Sequence, residues 1–265
     1  MTITGTIAFD LAPPPGGEIL HASDRATIVW GDSRDPQVVA QVPDWYHLLA
    51  TDPPYGIRYE SARRKEAWGQ IAGDDGSVDW PGVLAEWVGP EGTWTRGLAN
   101  GAHVYVFGYT PEQLAGPLRL SATAELVWRK QKMTSGNLSL PWGAAHEKLT
   151  FGVHRKPKSD RAKGDGALSA RLRRESVLEH PAVNGRGAKR HPNEKPVALM
   201  QDLIESSTVR GDLVVDPCAG SGSTGVAAVL EGRRCFLVEY SREFVELAVQ
   251  RVQAAEKLAA LMAAA

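Results

Sequence analysis

"LVVDPCAGSGSTG", residues 213–225, is the stretch that decides the fold. An apolar run ends on Asp216. Glycines follow at 220, 222 and 225, and a stretch of helical character, "GSTGVAAVLEG" (222–232), leads away. A strand, a tight glycine turn and a helix in that order open a ligand-binding α/β unit. A second strand, "RCFLVEY" (234–240), ends with Glu239 about twenty residues on, where a carboxylate binds ribose hydroxyls in dinucleotide sites. An NAD-dependent dehydrogenase is therefore one reading. Asp216 argues for another. A carboxylate at the mouth of the loop repels a pyrophosphate and attracts a cation. S-adenosylmethionine carries a sulfonium and an ammonium and no phosphate, so it suits Asp216, Gly220, Gly222 and Glu239 better.

Working outward, "ATIVWGD" (26–32), "WYHLLATD" (45–52), "AHVYVFGY" (102–109), "AELVWRK" (124–130) and "KLTFGVHR" (148–155) read as strands. "KPVALMQDLIESST" (195–208) has helical spacing, and the chain closes on a long helix with Ser241 as its N-cap. Strands alternating with helices predict a single α/β domain over 1–265 with a mostly parallel sheet. "APPPGG" reads as a loose leader.

Composition narrows the class. Of 265 residues 43% are apolar, as in ordinary folded domains, and no apolar run reaches the roughly 18 residues of a membrane span. No secretory signal pattern opens the chain. The two cysteines, Cys218 and Cys235, make neither a disulfide framework nor a metal cluster, so no metal is expected and a reducing cytoplasm fits. Cys218 reads as a small packed residue of the cofactor loop rather than a nucleophile, because no basic partner lies near it in sequence. The formal net charge is −1, yet residues 155–190 hold 11 Lys/Arg against 4 Asp/Glu, a local +7 that leaves −8 for the remainder. Such asymmetry predicts a polyanionic partner for that segment.

One further stretch carries chemistry. In "TDPPYG" (51–56) paired prolines force a turn between Asp52 and Tyr55. An exocyclic amino nitrogen is a poor nucleophile because its lone pair is delocalised into the ring. A carboxylate of ordinary pKa, about 3.9, cannot deprotonate it beforehand. It can accept one N–H hydrogen bond while a backbone carbonyl, that of Pro53, accepts the other. Two acceptors out of the ring plane localise the lone pair and stabilise the positive charge that methylation creates. Tyr55 offers a stacking face, and a duplex base reaches such a turn only by leaving the helix stack.

Together these residues resemble the DNA amino-methyltransferases that act on adenine N6 or cytosine N4. Asp52, Pro53, Pro54 and Tyr55 match their catalytic motif, and "DPCAGSGSTG" their cofactor loop. "HPNEKPVALMQDLI" (191–204) is similar to the segment that closes their cofactor pocket, with Asn193 in place of threonine. "WRKQKMTSGNLSLPWGAAHEKLTFGVHR", with His146 and Glu147, is similar to the region after their fifth strand. The catalytic turn precedes the cofactor loop, as in the circularly permuted β group. The resemblance implies a Rossmann-like S-adenosylmethionine-dependent methyltransferase fold. Its sheet has seven strands, one of them antiparallel, with helices on both faces. It implies cofactor contacts from Asp32, Asp52, Pro53, Asn193, Lys195, Asp216, Cys218, Ala219, Gly220, Gly222 and Glu239. Asp32 would meet the adenine amino group and Lys195 the cofactor carboxylate.

Double-stranded DNA is the expected partner. Arg58, Arg63, Arg64 and Lys65 lie on the polar stretch after the turn. Arg155, Lys156, Lys158, Arg171, Arg173 and Arg174 lie in the basic segment 155–190, read as an inserted target-recognition region. Aspartate at the start of the turn favours adenine N6 over cytosine N4, where serine is common. RNA or protein-amide methylation, the dehydrogenase and a non-catalytic DNA-binding module remain as rivals. By resemblance the enzyme belongs to a bacterial or phage-infected cell, beside the nucleoid, and homodimers are common among its relatives.

Overall fold

The computed structural model describes residues 12–55, 73–80, 82–84, 94, 97–116, 118–131, 141–161, 172–183 and 193–264. The strands are β1 (Glu18–Ala22), β2 (Ala26–Trp30), β3 (Tyr46–Thr51), β4 (Leu98–Phe107), β5 (Leu120–Arg129), β6 (His146–His154), β7 (Val177–Glu179), β8 (Leu213–Asp216) and β9 (Arg234–Glu239). The helices are α1 (Pro36–Val39), α2 (Pro111–Leu114), α3 (Val197–Ser207), α4 (Ser223–Leu230) and α5 (Arg242–Ala264).

All nine strands form one sheet in the order β1-β2-β9-β8-β3-β4-β6-β5-β7. From β2 to β4 the neighbours run parallel, β6 is antiparallel to both β4 and β5, and β7 runs parallel to β5. The stretch from β2 to β5 is the expected seven-stranded sheet with one reversed strand. The last two strands of the alternating pattern, β8 and β9, lie in its middle, as the permuted order requires. The count of seven is corrected to nine by two edge strands. β1 pairs antiparallel with β2, and its mostly exposed residues give no apolar run to read. β7 has three residues and falls inside the basic segment. The helix expected from 195 begins at Val197, leaving Lys195 and Pro196 in an extended lead-in.

Period-two alternation divides the sheet's side chains between two cores. On β3, Leu48 and Ala50 face the cluster built with α3, α4 and α5, while Leu49 faces the cluster containing Val38, Leu114, Trp80 and Trp94. Every residue of β4 is buried, so the central strand is covered on both faces. Parallel strands place their C-terminal ends at one edge, so Thr51, Phe107, Asp216 and Glu239 end together. The candidate site lies at this edge.

Candidate active site

The glycine loop is drawn inward. The Cys218 amide donates to Asp216 Oδ1 at 3.0 Å and the Gly220 amide to Glu239 Oε2 at 2.7 Å. The Ala219 amide donates to the Val238 carbonyl and the Gly222 amide to the Ala219 carbonyl. These four N–H groups are consumed by the protein, so the loop does not offer them to a pyrophosphate as a dinucleotide cradle would. Gly222 is left-handed, φ 79°, and a β-carbon there would lie 2.8 Å from that of Ala248. The glycine lets α5 pack against the loop.

Asp216 is buried, and Thr224 Oγ1 donates to its Oδ2 at 2.6 Å. Burial pushes its carboxyl up to about 6, with the Thr224 and Cys218 hydrogen bonds opposing. Its oxygens thus brace the loop as well as setting its charge. Glu239 Oε1 accepts from the Ser241 amide at 2.8 Å, tying the loop to the start of α5. Burial, Asp216 and Glu239 raise the Cys218 thiol well above its ordinary value, so it stays a neutral packing group. Asp32 follows β2 at the same edge, held by Arg34 Nε and Nη2 at 2.9 and 2.7 Å. With Arg34, Asp35, Tyr240 and residues 12–15 it lines an open concavity.

The catalytic turn ends β3 beside this loop. Asp52 Oδ1 accepts from the Tyr55 hydroxyl, while Oδ2 accepts from Asn193 Nδ2 at 2.9 Å and Lys195 Nζ at 2.5 Å. The extended lead-in to α3 therefore brings Asn193 and Lys195 onto the carboxylate. In this conformation Lys195 serves Asp52 and Glu147, 3.2 Å away, where the resemblance had implied a cofactor carboxylate. Burial raises the Asp52 carboxyl and the Lys195 charge opposes it. The Tyr109 hydroxyl donates to the Pro54 carbonyl at 2.8 Å and fixes the turn. No donor among the described residues lies on the Pro53 carbonyl.

Tyr55 is held by Asp52, by an edge contact with Tyr109 at 6.2 Å, and by Gly108 beneath it. It orients Asp52, a role the sequence reading had not given it. Gly108, Tyr109 and Arg251 went unread. Arg251, on α5, donates to Ser221 O and Oγ at 2.7 Å and pairs with Glu194 at 3.0 Å, joining the cofactor loop to the Asn193–Lys195 arm. Only the tightness of "VFGYT" marked Gly108, and nothing local marked Arg251.

Among the described residues, the expected basic side chains are not gathered at this edge. Arg58, Arg63, Arg64, Lys65, Arg171 and His191 lie outside the described residues. Because β6 runs antiparallel, its end carries Arg155, Lys156 and Lys158 to the opposite edge, about 17 Å away by strand length. There Lys156 covers the Trp45 ring at 5.2 Å. Arg174 is spent on α3, bonded to Asp202, Glu205 and Ser206. His180 joins it at Asp202, 2.8 Å away. Arg173 precedes β7 and is exposed. Arg155, Lys156 and Lys158 thus lie away from Asp52.

Neither a membrane-spanning helix nor a metal-ligating cluster occurs among the described residues. A family model described as DNA methylase, of the N6/N4 type, matches residues 46–250. The type II methyltransferase M2.DpnII of Streptococcus pneumoniae is 25% identical over 80% of this chain and 84% of its own length. M2.MboI of Moraxella bovis is 32% identical over 42% of this chain, a match that spans 38% of that protein. The DNA adenine methyltransferase YhdJ of Escherichia coli is 37% identical over 26% of this chain and 24% of its own length. Among solved structures, the cytosine-N4-specific PvuII DNA methyltransferase superposes with TM-score 0.62 over 93% of this chain and 95% of its own, at 17% identity. M1.HpyAVI in complex with S-adenosylmethionine gives 0.58 over 85% and 99%, also at 17%. The fold is that of the S-adenosylmethionine-dependent DNA methyltransferases, and with three quarters of its length matched, the chain belongs to the N6/N4 DNA methylase family.

Proposed function

We propose that this protein transfers a methyl group from S-adenosylmethionine to the N6 of an adenine flipped out of double-stranded DNA. The observation that carries the reading is the meeting of the Asp52 turn and the inward-braced glycine loop at one sheet edge. Asp32, Asp216 and Glu239 give that edge a negative donor set that fits a sulfonium and an ammonium and opposes a phosphate ligand. Asp32, Cys218, Ala219, Gly220, Gly222 and Glu239 would hold the cofactor, with Pro53 and Asn193 at the methyl end. When bound, S-adenosylmethionine supplies an electrophilic methyl group.

The chain's own residues do the rest. Asp52 accepts one amino N–H and the Pro53 carbonyl the other, which pyramidalises the nitrogen and localises its lone pair. The carboxylate then faces the positive charge that grows on nitrogen and receives the proton the product loses. A hydrogen bond to a charged group contributes about 1.5–3 kcal/mol, whereas alignment of the reacting groups supplies about 7–11 kcal/mol. Placement therefore dominates, and the braced turn serves placement.

Aspartate at the first position of the turn and the YhdJ match support adenine. Cytosine N4 is the second reading, favoured by the PvuII likeness. Incubation with labelled cofactor and unmethylated DNA, followed by digestion to nucleosides, tests both. Label in N6-methyladenine is expected. Label confined to N4-methylcytosine would replace the first reading with the second.

A further inference from the structure

Lys195 stands between two carboxylates. Its Nζ is 2.5 Å from Asp52 Oδ2 and 3.2 Å from Glu147 Oε2, and its side chain is only 6% exposed. Glu147 is the second residue of β6 and is held at its other oxygen by Lys130. Its Oε2 is buried and receives no hydrogen bond of good geometry, though the ammonium is close by. Both Asp52 oxygens are meanwhile taken, by Tyr55, Asn193 and Lys195. Oδ2 has both lone pairs filled, by Asn193 and Lys195, so a substrate amino group arriving at that oxygen must displace one of the two. Lys195 is the donor with an acceptor waiting, since its Nζ is already within hydrogen-bond distance of Glu147 Oε2 and needs only to turn toward it.

We propose that Glu147 is a positioning residue that takes Lys195 over from Asp52 as the target amino group arrives. One buried cation then serves two carboxylates in turn. Left on Asp52, the ammonium would compete for the acceptor and repel the positive charge that develops on nitrogen. Moved to Glu147, it leaves the Asp52 charge facing the reaction, while the cluster of two carboxylates and two lysines stays neutral throughout. The proposal rests on the methylation reading only in treating Asp52 as an amino-group acceptor, so adenine and cytosine substrates test it alike.

The groups facing Asp52 are Lys195 and Asn193 from the arm, Tyr55 from the turn, Tyr109 after β4, Glu147 from β6 with Lys130 behind it, and Asp216 and Cys218 from the cofactor loop. The Glu147 charge pushes the Asp52 carboxyl up, so removing it lowers the pH at which Asp52 gains a proton.

The test compares full-length wild type, Glu147→Gln, Glu147→Asp, Lys195→Met and the Glu147→Gln/Lys195→Met double variant on unmethylated DNA of mixed sequence. Glu147→Gln is expected to lower kcat about 10–100-fold with the cofactor Kd nearly unchanged, and Glu147→Asp to restore most of it. The acid limb of its pH–rate profile moves to lower pH. In the Lys195→Met background the same substitution should cost less than about 3-fold. Equal losses in both backgrounds, or an unmoved acid limb with a parallel fall in melting temperature, would overturn the proposal. A wild-type enzyme that methylates no exocyclic nitrogen would overturn the parent reading, and the proposal with it, before any variant is compared.

Discussion

Replacing Gly108 by alanine perturbs the catalytic carboxylate without touching it. Gly108 follows β4 with φ 76°, a conformation that costs an L-residue about 1–2 kcal/mol. A β-carbon there would lie 2.6 Å from Tyr55 Cδ1 and Cζ, and ordinary carbon contacts are about 3.5–4.0 Å. Cε1 lies closer still, so the ring must retreat by more than about 1 Å. That retreat strains its hydroxyl bond to Asp52, an interaction with a charged group worth about 1.5–3 kcal/mol. It also frees the carboxylate to turn, and a 1 Å misplacement costs about 100-fold in rate. Gly108→Ala should thus lower kcat by about two orders of magnitude and the melting temperature by about 2–6 °C, with the cofactor Kd within about 3-fold of wild type. Isothermal titration, thermal unfolding and single-turnover methylation separate these effects. Tyr55→Phe keeps the ring and loses the hydroxyl, so the two substitutions together should cost less than the sum of each. A Gly108→Ala enzyme with wild-type kcat would refute the claim that the Tyr55 ring sets Asp52.

Arg251→Met removes the link between Ser221 and Glu194, whose side chain is 5% exposed; we expect up to about 3 kcal/mol of lost stability and about 10-fold weaker cofactor binding, and unchanged values by calorimetry would refute the link. Burial pushes the Asp216 carboxyl from its ordinary 3.8 up to about 6, so the folded state holds the proton more tightly. That contribution is fully present below about pH 4 and is lost as pH rises through about 6; urea unfolding should show wild type losing about 3 kcal/mol relative to Asp216→Asn across this window. A pH-independent difference between the two would contradict the buried carboxyl. Lys156→Ala/Lys158→Ala alters the far edge alone, so the slope of log DNA affinity against log salt should change by less than about 0.9, the value of one phosphate contact. A change near 2 would mean that DNA reaches the far edge.

Fold and cofactor loop were legible because both are local. Apolar runs such as "LVVDP" and "RCFLVEY" and the glycines at 220, 222 and 225 sit within one βαβ unit. Asp52 was legible for the same reason, marked by its prolines. What surrounds Asp52 was not, because its partners arrive 141 and 143 residues later in sequence. Periodicity cannot express such a meeting. The charge surplus at 155–190 carried no information about place, since composition does not record strand direction. One reversal at β6 carries its first lysines away from the chemistry, and Asp202 and Glu205 absorb Arg174.

That reversed strand also determines where target choice can be rewritten. Residue 161, from which the stretch 162–171 departs, belongs to the far side, as the Arg161 bond to the Lys156 carbonyl indicates. By contrast, 56–72 leaves from Tyr55 and returns beside Asp74, whose carboxylate meets the Tyr55 amide. The stretch 184–192 leaves β7 at the catalytic side and returns at Asn193. Grafting 56–72 or 184–192 from a relative should therefore transplant its sequence preference, whereas 162–171 should accept a foreign insert, a reporter or an affinity tag, with the methylation pattern intact.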